Sequence, residues 1–333
     1  MKAYSISKYS KEDELQLVDA PKPEIQDNEV LVAIHAASIN QLDAKLKNGE
    51  FKLLLPYKFP LILGHDVSGT IVGIGSQVRQ FKMGDEVFAR PADFSIGTFA
   101  EYIAINEKDL ALKPKNISFE EAASMPLVAL TVWQAFVEEA KLKKGQKVFI
   151  QAGSGGVGTI AIQLARHLGA TVATTTSSHN FELVKSLGAD IAIDYKTQDF
   201  ETILKDYDLV LNSQDEKTLE KSLRILKPGG KVISISGPPD TAFAKEKGLS
   251  WFMKTAIYFL SRKISRQAKK LGVDYSFLFM QANGKQLSEI GKLVEAGVIR
   301  PVVDKVFMFE QMNEAMSYVS SGRAKGKVIV KIK

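Results

Sequence analysis

The chain has no cysteine in its 333 residues. Disulfides are therefore excluded, and a reducing compartment is compatible with that lack. No apolar run reaches the roughly 20 residues a membrane-spanning helix needs. The opening Met1-Lys2-Ala3-Tyr4-Ser5 has no secretory-signal pattern and leads into a charged segment. The expectation is a cytoplasmic protein with no stable membrane insertion. There is no internal repeat and no low-complexity tract. Charge of one sign is also missing: 44 Lys and Arg stand against 38 Asp and Glu, a net charge of +6. The lysines are dispersed, many in Lys/Glu-rich surface patterns, so no nucleic-acid partner is expected.

With 45% hydrophobic residues the chain can bury a sizeable core, and its length suggests two domains. The first hundred residues read as β-rich. Val30–Ile34 and Gly69–Ile74 are short strands between Gly, Pro and Asp punctuation, and Gly84–Phe88 is a turn into another. From about residue 120, helix and strand alternate. Strands are expected at Lys147–Gln151, Ala170–Thr175, Ile191–Ile193, Leu209–Asn212 and Lys231–Ser236, with Lys227–Gly230 as a turn before the last. Such alternation predicts an α/β domain with a doubly wound parallel sheet. After residue 283 a helix (Gln286–Ala296) and mixed segments return.

The strongest signal is Val148–Gly158, an apolar strand running into a complete G-x-G-x-x-G. An amphipathic helix follows, with Val157, Ile160, Ala161, Leu164, Ala165 and Leu168 on one face. Gly153 would permit the tight turn, Gly155 the approach of a pyrophosphate, and Gly158 the packing of helix on strand. The helix N-terminus, with Ser154, Gly156 and Val157, offers amide N–H groups to phosphates. NAD binders place an acid about 20 residues past the first glycine, at the end of the second strand. Here stand Ser177, Ser178, His179 and Asn180, and the first acid is Glu182. A carboxylate would repel a 2′-phosphate, whereas hydroxyls and an amide can donate to one, so the expected cofactor is NADPH.

Six ordered blocks carry a family resemblance: Ala37–Asp43, Gly64–Gly69, Phe81–Val87, Ala122–Trp133, the glycine motif, and Gly322–Val328. Over essentially its whole length the chain resembles the zinc-independent medium-chain dehydrogenase/reductases, in the quinone oxidoreductase and enone (alkenal) reductase branch. The resemblance implies a GroES-like β-rich catalytic domain at 1–120 and 283–333, and a Rossmann NADPH-binding domain at 121–282. It also implies an active site in the cleft between them and a homodimer. Zinc-dependent relatives use a Cys, a His-Glu motif and a further Cys. Here Asn40 replaces the first Cys, and His65-Asp66 replaces His-Glu. One imidazole and one acid make an incomplete site, so no metal is expected and His65 reads as a hydrogen-bonded structural residue.

Without a metal, the chemistry implied is hydride transfer from NADPH to a quinone or to the C=C bond of an enone or enal. Asn40-Gln41-Leu42-Asp43-Ala44-Lys45 looks like the Asn-x-x-Asp-x-Lys pattern of the enone and alkenal reductases. It makes Lys45 and Asn40 the candidate catalytic residues. The Lys45 ammonium would stabilise an enolate oxygen; from the residues alone it equally reads as a solvated lysine. Asn40 would line the cleft beside the nicotinamide, and Asp43 either orders the loop or pairs with Lys45. Tyr57 and Tyr102 are proton donors that nothing places. By resemblance Thr131, Tyr195, Ser213, Ser236, Gly237, Phe279 and Arg323 would also contact the cofactor. Phe277–Met280 resembles the strand that meets the nicotinamide and joins subunits. The usual Asp-x-x-Gly after the fourth strand is replaced by Asn212-Ser213-Gln214-Asp215.

Between Gly248 and Gly272 lies a segment with Met253, Ile257, Leu260, Ile264, Ala268 and Leu271 at helical spacing and cations crowding its second half. A lid over the substrate, a dimer element and a membrane-surface helix compete for it. One-electron quinone reduction and a non-catalytic NADPH-binding role, crystallin-like and even RNA-binding, are the rival functions.

Overall fold

The computed structural model describes all residues from 1 to 333. Along the chain the strands and helices are β1 (Lys2–Ile6), β2 (Gln16–Asp19), β3 (Glu29–Ile39), α1 (Gln41–Lys47), β4 (Leu61–Ile62), β5 (Asp66–Ile74), β6 (Glu86–Ala89), β7 (Tyr102–Asn106), β8 (Leu110–Leu112), α2 (Phe119–Ala123) and α3 (Pro126–Trp133). Then come β9 (Lys147–Ile150), α4 (Gly156–His167), β10 (Thr171–Thr176), α5 (Phe181–Ser186), β11 (Ile191–Asp194), α6 (Phe200–Ile203), β12 (Tyr207–Asn212), α7 (Glu216–Arg224), β13 (Leu226–Ser234), α8 (Thr241–Glu246), α9 (Trp251–Leu271) and β14 (Asp274–Phe277). The chain ends with α10 (Gly284–Glu295), β15 (Val303–Met308), α11 (Met312–Ser320) and β16 (Lys327–Lys331).

Contacts divide the chain into two compact units, Met1–Leu130 with Gln281–Lys333, and Thr131–Met280. The first is built on a sheet ordered β15-β16-β3-β5-β6-β8, with β7 also paired to β3. It is the GroES-like domain. Its core forms because β3 alternates: Val30, Val32 and Ile34 meet Val67, Ile71, Val87, Ile103 and Ile105, all buried. The C-terminal β16 lies antiparallel on β3, pairing Val328 with Ile39 and Val330 with Ala37. Residues nearly 300 positions apart thus become neighbours.

The second unit is a six-stranded sheet in the order β11-β10-β9-β12-β13-β14, parallel throughout. That is the doubly wound Rossmann order, whose ligand site lies beyond the carboxyl ends of the strands where the order reverses. Here the reversal is between β9 and β12, so the glycine turn after β9 and Asn212–Asp215 after β12 stand together there. Three expected local features differ. Lys227–Gly230 is no turn ahead of β13 but an irregular stretch inside it: the register against β12 steps from Tyr207↔Leu226 to Leu209↔Lys231, and Gly229 sits at φ +77°. The strand expected at Phe277–Met280 ends at Phe277, because only its first residue completes the β13 pairing. In α9 the inward residues are Ile257, Ser261, Ile264 and Ala268, a strict helical stripe that leaves Leu260 and Leu271 outside.

Candidate functional site

In the first unit, Asn40 stands where β3 gives way to α1, in extended conformation as the helix N-cap. Its backbone N–H donates to Asp43 Oδ2 at 2.7 Å, and the other oxygen of Asp43 meets His65 Nδ1 at 2.6 Å. A carboxylate only accepts, so Nδ1 carries the hydrogen. Asp43 therefore orders the loop and does not pair with Lys45. Both its oxygens are taken, and two residues along a helix the side chains face apart.

The side chain of Asn40 belongs to a second cluster, centred on Asp66 at the start of β5. Asp66 Oδ2 accepts from Ser38 Oγ at 2.7 Å, Asn40 Nδ2 at 2.9 Å and Lys327 Nζ at 3.2 Å. Its Oδ1 accepts the backbone N–H of Leu127 at 2.7 Å. Lys327 Nζ also donates to Asn40 Oδ1. The carboxylate and the ammonium fix which end of the Asn40 amide is oxygen. One amide N–H of Asn40 remains for a ligand. Ser38, Asn40, Asp43, His65, Asp66 and Lys327 are all at least nine-tenths buried. A buried carboxylate with four donors and a buried ammonium with two acceptors meet the demand that interior charges be paired and hydrogen-bonded.

Asn40, His65 and Asp66 stand where the resemblance puts metal ligands, and they do not fit a zinc ion. There is no cysteine. His65 has one ring nitrogen on Asp43, Asp66 is saturated by donors, and the Lys327 ammonium already supplies the positive charge. No group of three or more His, Cys, Asp or Glu is placed to hold a metal. Lys327 is the member of this network that sequence reasoning passed over, although it stood inside the recognised Gly322–Val328 block.

Lys45 lies half-buried in the second turn of α1, with no hydrogen bond or ion pair on its ammonium. Tyr57 is half-buried; its hydroxyl accepts the Phe94 N–H at 3.3 Å, and burial pushes it up to about 12. Tyr102 is half-buried beneath Lys22, whose Nζ lies 4.3 Å from the ring centroid. Arg323 is exposed in the turn before β16.

In the second unit the turn after β9 works differently from the expectation. The left-handed residue is Ala152, at φ +50°, not a glycine. Gly153 is required by crowding: an added Cβ would lie 2.1 Å from Thr174 Oγ1 of the neighbouring β10. At Gly158 a Cβ would meet the Ala152 carbonyl at 2.4 Å, so only glycine lets the helix start this close to the turn. Gly155 caps α4 without any side chain, leaving the amides of Gly156, Val157 and Gly158 at its head. That bare cradle fits a pyrophosphate.

Beside it, Ser154 Oγ accepts from Thr176 Oγ1 at 2.8 Å and from Asn180 Nδ2 at 3.1 Å, and Asn180 also reaches Ser177 Oγ at 3.2 Å. Ser154, Ser177 and Asn180 are thus one polar cluster. Ser178 instead turns to Asp194, whose carboxyl is held below its usual range by the Lys196 N–H and by hydrogen bonds from Ser178. The Tyr195 N–H donates to Thr176 and its side chain is exposed. Thr131 is buried on α3.

The substituted Asn212–Asp215 segment is also explained. Asn212 Nδ2 donates to Gln151 Oε1 at 2.8 Å, and Ser234 Oγ to Asn212 Oδ1 at 2.7 Å. Gln151 Nε2 donates to Ser222 Oγ at 2.7 Å. Neutral amides and hydroxyls tie the ends of β9, β12 and β13 together. Ser213 N–H joins Gln151 as well, Gly237 N–H reaches Ser234 Oγ at 2.8 Å, and Ser236 Oγ reaches the Gln214 carbonyl at 2.6 Å. Asp215 caps α7. Phe279 packs on Phe243, with centroids 5.6 Å apart.

Residues 26–115 match the alcohol dehydrogenase GroES-like domain, and residues 187–330 match a model described as zinc-binding dehydrogenase. The mitochondrial NAD(P)H oxidoreductase RTN4IP1 of Danio rerio is 37% identical, over 100% of this chain and 91% of that protein. The 2-methylene-furan-3-one reductase of Solanum lycopersicum is 36% identical, over 99% of this chain and 79% of its own length. Among solved structures, the quinone oxidoreductase of Coxiella burnetii superposes with a TM-score of 0.87 at 30% identity, covering 100% of this chain and 99% of that one. With an amide, an imidazole and an ammonium–carboxylate pair in place of metal ligands, the chain belongs to the zinc-independent medium-chain dehydrogenase/reductase family, in its quinone oxidoreductase and enone reductase branch.

Proposed function

We propose that this chain is an NADPH-dependent, zinc-free oxidoreductase that reduces quinones or the C=C bond of α,β-unsaturated carbonyls by hydride transfer. The observation that carries the reading is the Asp66–Asn40–Lys327 network. It fills the metal position with a fixed amide, so a substrate carbonyl must be activated by hydrogen-bond donors. Conjugated acceptors suit such a site, because the charge that develops in the transition state spreads onto an oxygen that one or two donors can stabilise. The names of the relatives, an enone reductase and a quinone oxidoreductase, point to the same class.

Bound NADPH would supply the hydride, with its pyrophosphate on the amides of Gly156, Val157 and Gly158. The hydride would add to the β-carbon of the alkene, the C=C pair would shift to join the α-carbon to the carbonyl carbon as the C=O pair moves onto oxygen, and a proton from water would then add at the α-carbon. Lys45 donates to that oxygen, and the spare Asn40 N–H orients the reacting groups. The test is NADPH oxidation with a small enone, with the product identified by mass spectrometry. A saturated ketone formed one-for-one with NADPH supports the reading. A semiquinone signal with quinones, or an NADPH-dependent rise in melting temperature with no turnover, sinks it in favour of one-electron reduction or a binding role.

Preference for NADPH over NADH rests on Ser177 and Asn180, with Tyr195 and Arg323 as further candidate contacts to the 2′-phosphate. Ser177→Asp places a carboxylate beside that phosphate and should cut kcat/KM with NADPH at least about tenfold, while NADH changes little. An equal loss with both cofactors would remove Ser177 from this role. A homodimer fits the same reading, because β14 leaves one edge of the Rossmann sheet unpaired.

A further inference from the structure

Helix α9 buries one stripe and turns a very different face outward. Trp251, Phe252, Phe259 and Leu260 are 77, 70, 61 and 66% exposed. Over its second half that outward side carries the exposed Lys263, Arg266, Lys269 and Lys270, while Arg262 is half-buried. The 21-residue helix contains no acid. Only Lys263 has ion pairs, with Glu216 and Glu220 of α7. Lys254, Arg262, Arg266, Lys269 and Lys270 have no carboxylate partner. Large aromatics in water are unfavourable, and the neighbouring cations concentrate positive charge with no acid beside them. Together they match a surface with an apolar layer beneath a layer of anions.

We propose that α9 is an interfacial helix that docks this protein reversibly on an anionic lipid surface. At 1.5 Å per residue it is about 31 Å long. No helix of the chain is long and apolar enough to cross a membrane, so α9 lies on the bilayer. Trp251, Phe252 and Phe259, on the side opposite the buried stripe, enter the boundary between headgroups and acyl chains, where amphipathic aromatics partition well, and Leu260 lies on the flank. Arg266, Lys269 and Lys270, all exposed, meet the lipid phosphates. A second copy of the same face is the poorer occupant, because it brings six more cations and no acid to meet them.

The full-length protein with NADPH is sedimented with phosphatidylcholine vesicles, with or without about one third phosphatidylglycerol. Binding is expected only with the anionic lipid, and should fall as salt screens it. Trp251→Ser with Phe252→Ser should abolish it. Lys269→Gln with Lys270→Gln should weaken it about 25-fold, roughly fivefold per charge. All four side chains are exposed, so unchanged NADPH oxidation and melting temperature certify the fold. No sedimentation with anionic vesicles at low salt overturns the proposal, as does binding that neither double variant weakens. Loss of a dimer in the Trp251/Phe252 variant, without vesicle binding, makes the face an interface between copies instead.

Discussion

Lys327→Met should destabilise the first unit by about 3–5 kcal/mol, the cost of leaving one member of a buried ion pair alone. Asp66 is fully buried and Lys327 is 5% exposed, so solvent cannot repair the loss. Methionine keeps the volume of the stem, so the cost is one of charge more than of packing. Adding Asp66→Asn removes the stranded carboxylate, and the two substitutions should be non-additive by roughly 1–3 kcal/mol, as expected for direct partners. The readout needs care, because both tryptophans, Trp133 and Trp251, lie in the second unit. Indole fluorescence would follow the wrong half. Hydrogen exchange at β3, β5 and β16, whose ladders carry Ser38, Asp66 and Lys327, reports the relevant unfolding. A loss below about 1 kcal/mol for Lys327→Met would show a pair that water reaches, behaving as surface pairs do.

What could be read from the sequence divides along physical lines. The Rossmann half was legible because its signals are local: an apolar strand, a glycine turn and a 3.6-residue stripe fall within about 20 residues around Gly153. The polar cluster of Ser154, Ser177 and Asn180 was half legible. The missing acid was visible, but the turning of Ser178 toward Asp194 depends on where β11 ends. The remnant metal position was legible as an absence, through Asn40 and the lack of cysteine. What fills it was not, because the bond from Lys327 to Asp66 spans 261 residues and exists only after β16 docks on β3. Lys327 stood in a recognised block, yet four residues earlier Arg323, with its forked phosphate donors, was the more obvious cation. The signal that could have found it is continuity: Lys327 opens a strand in which Val328, Ile329 and Val330 are all core, a run buried on both faces where a solvated lysine has no place. In α9 the six apolar residues stand at helical spacing, but packing divides them, since Ile257, Ile264 and Ala268 share a buried stripe with Ser261 and not with Leu260.

Lys45→Met should lower kcat on a small enone by about 10²–10³, the loss typical of removing one donor to a developing oxyanion. The Kd for NADPH should not move, because the cradle proposed for its pyrophosphate is built from Gly156, Val157 and Gly158 in the other unit. Stability should stay within about 0.5 kcal/mol, since the Lys45 ammonium has no partner to lose and methionine retains most of the stem. The free ammonium is what separates Lys45 from its neighbours. Lys47 in the same helix is spent on the carbonyls of Ser10, Lys11 and Asp13, and Lys327 is spent on Asn40 and Asp66. Of these three lysines, only Lys45 keeps its donors for a ligand. Lys45→Arg keeps the charge while changing its shape and reach, and should recover part of kcat if charge near the oxygen is what matters. A drop in kcat/KM with kcat intact would mean that Lys45 binds substrate and transition state alike. A kcat within threefold of the parent would make Lys45 an ordinary solvated lysine and leave the spare N–H of Asn40 as the donor to the substrate oxygen.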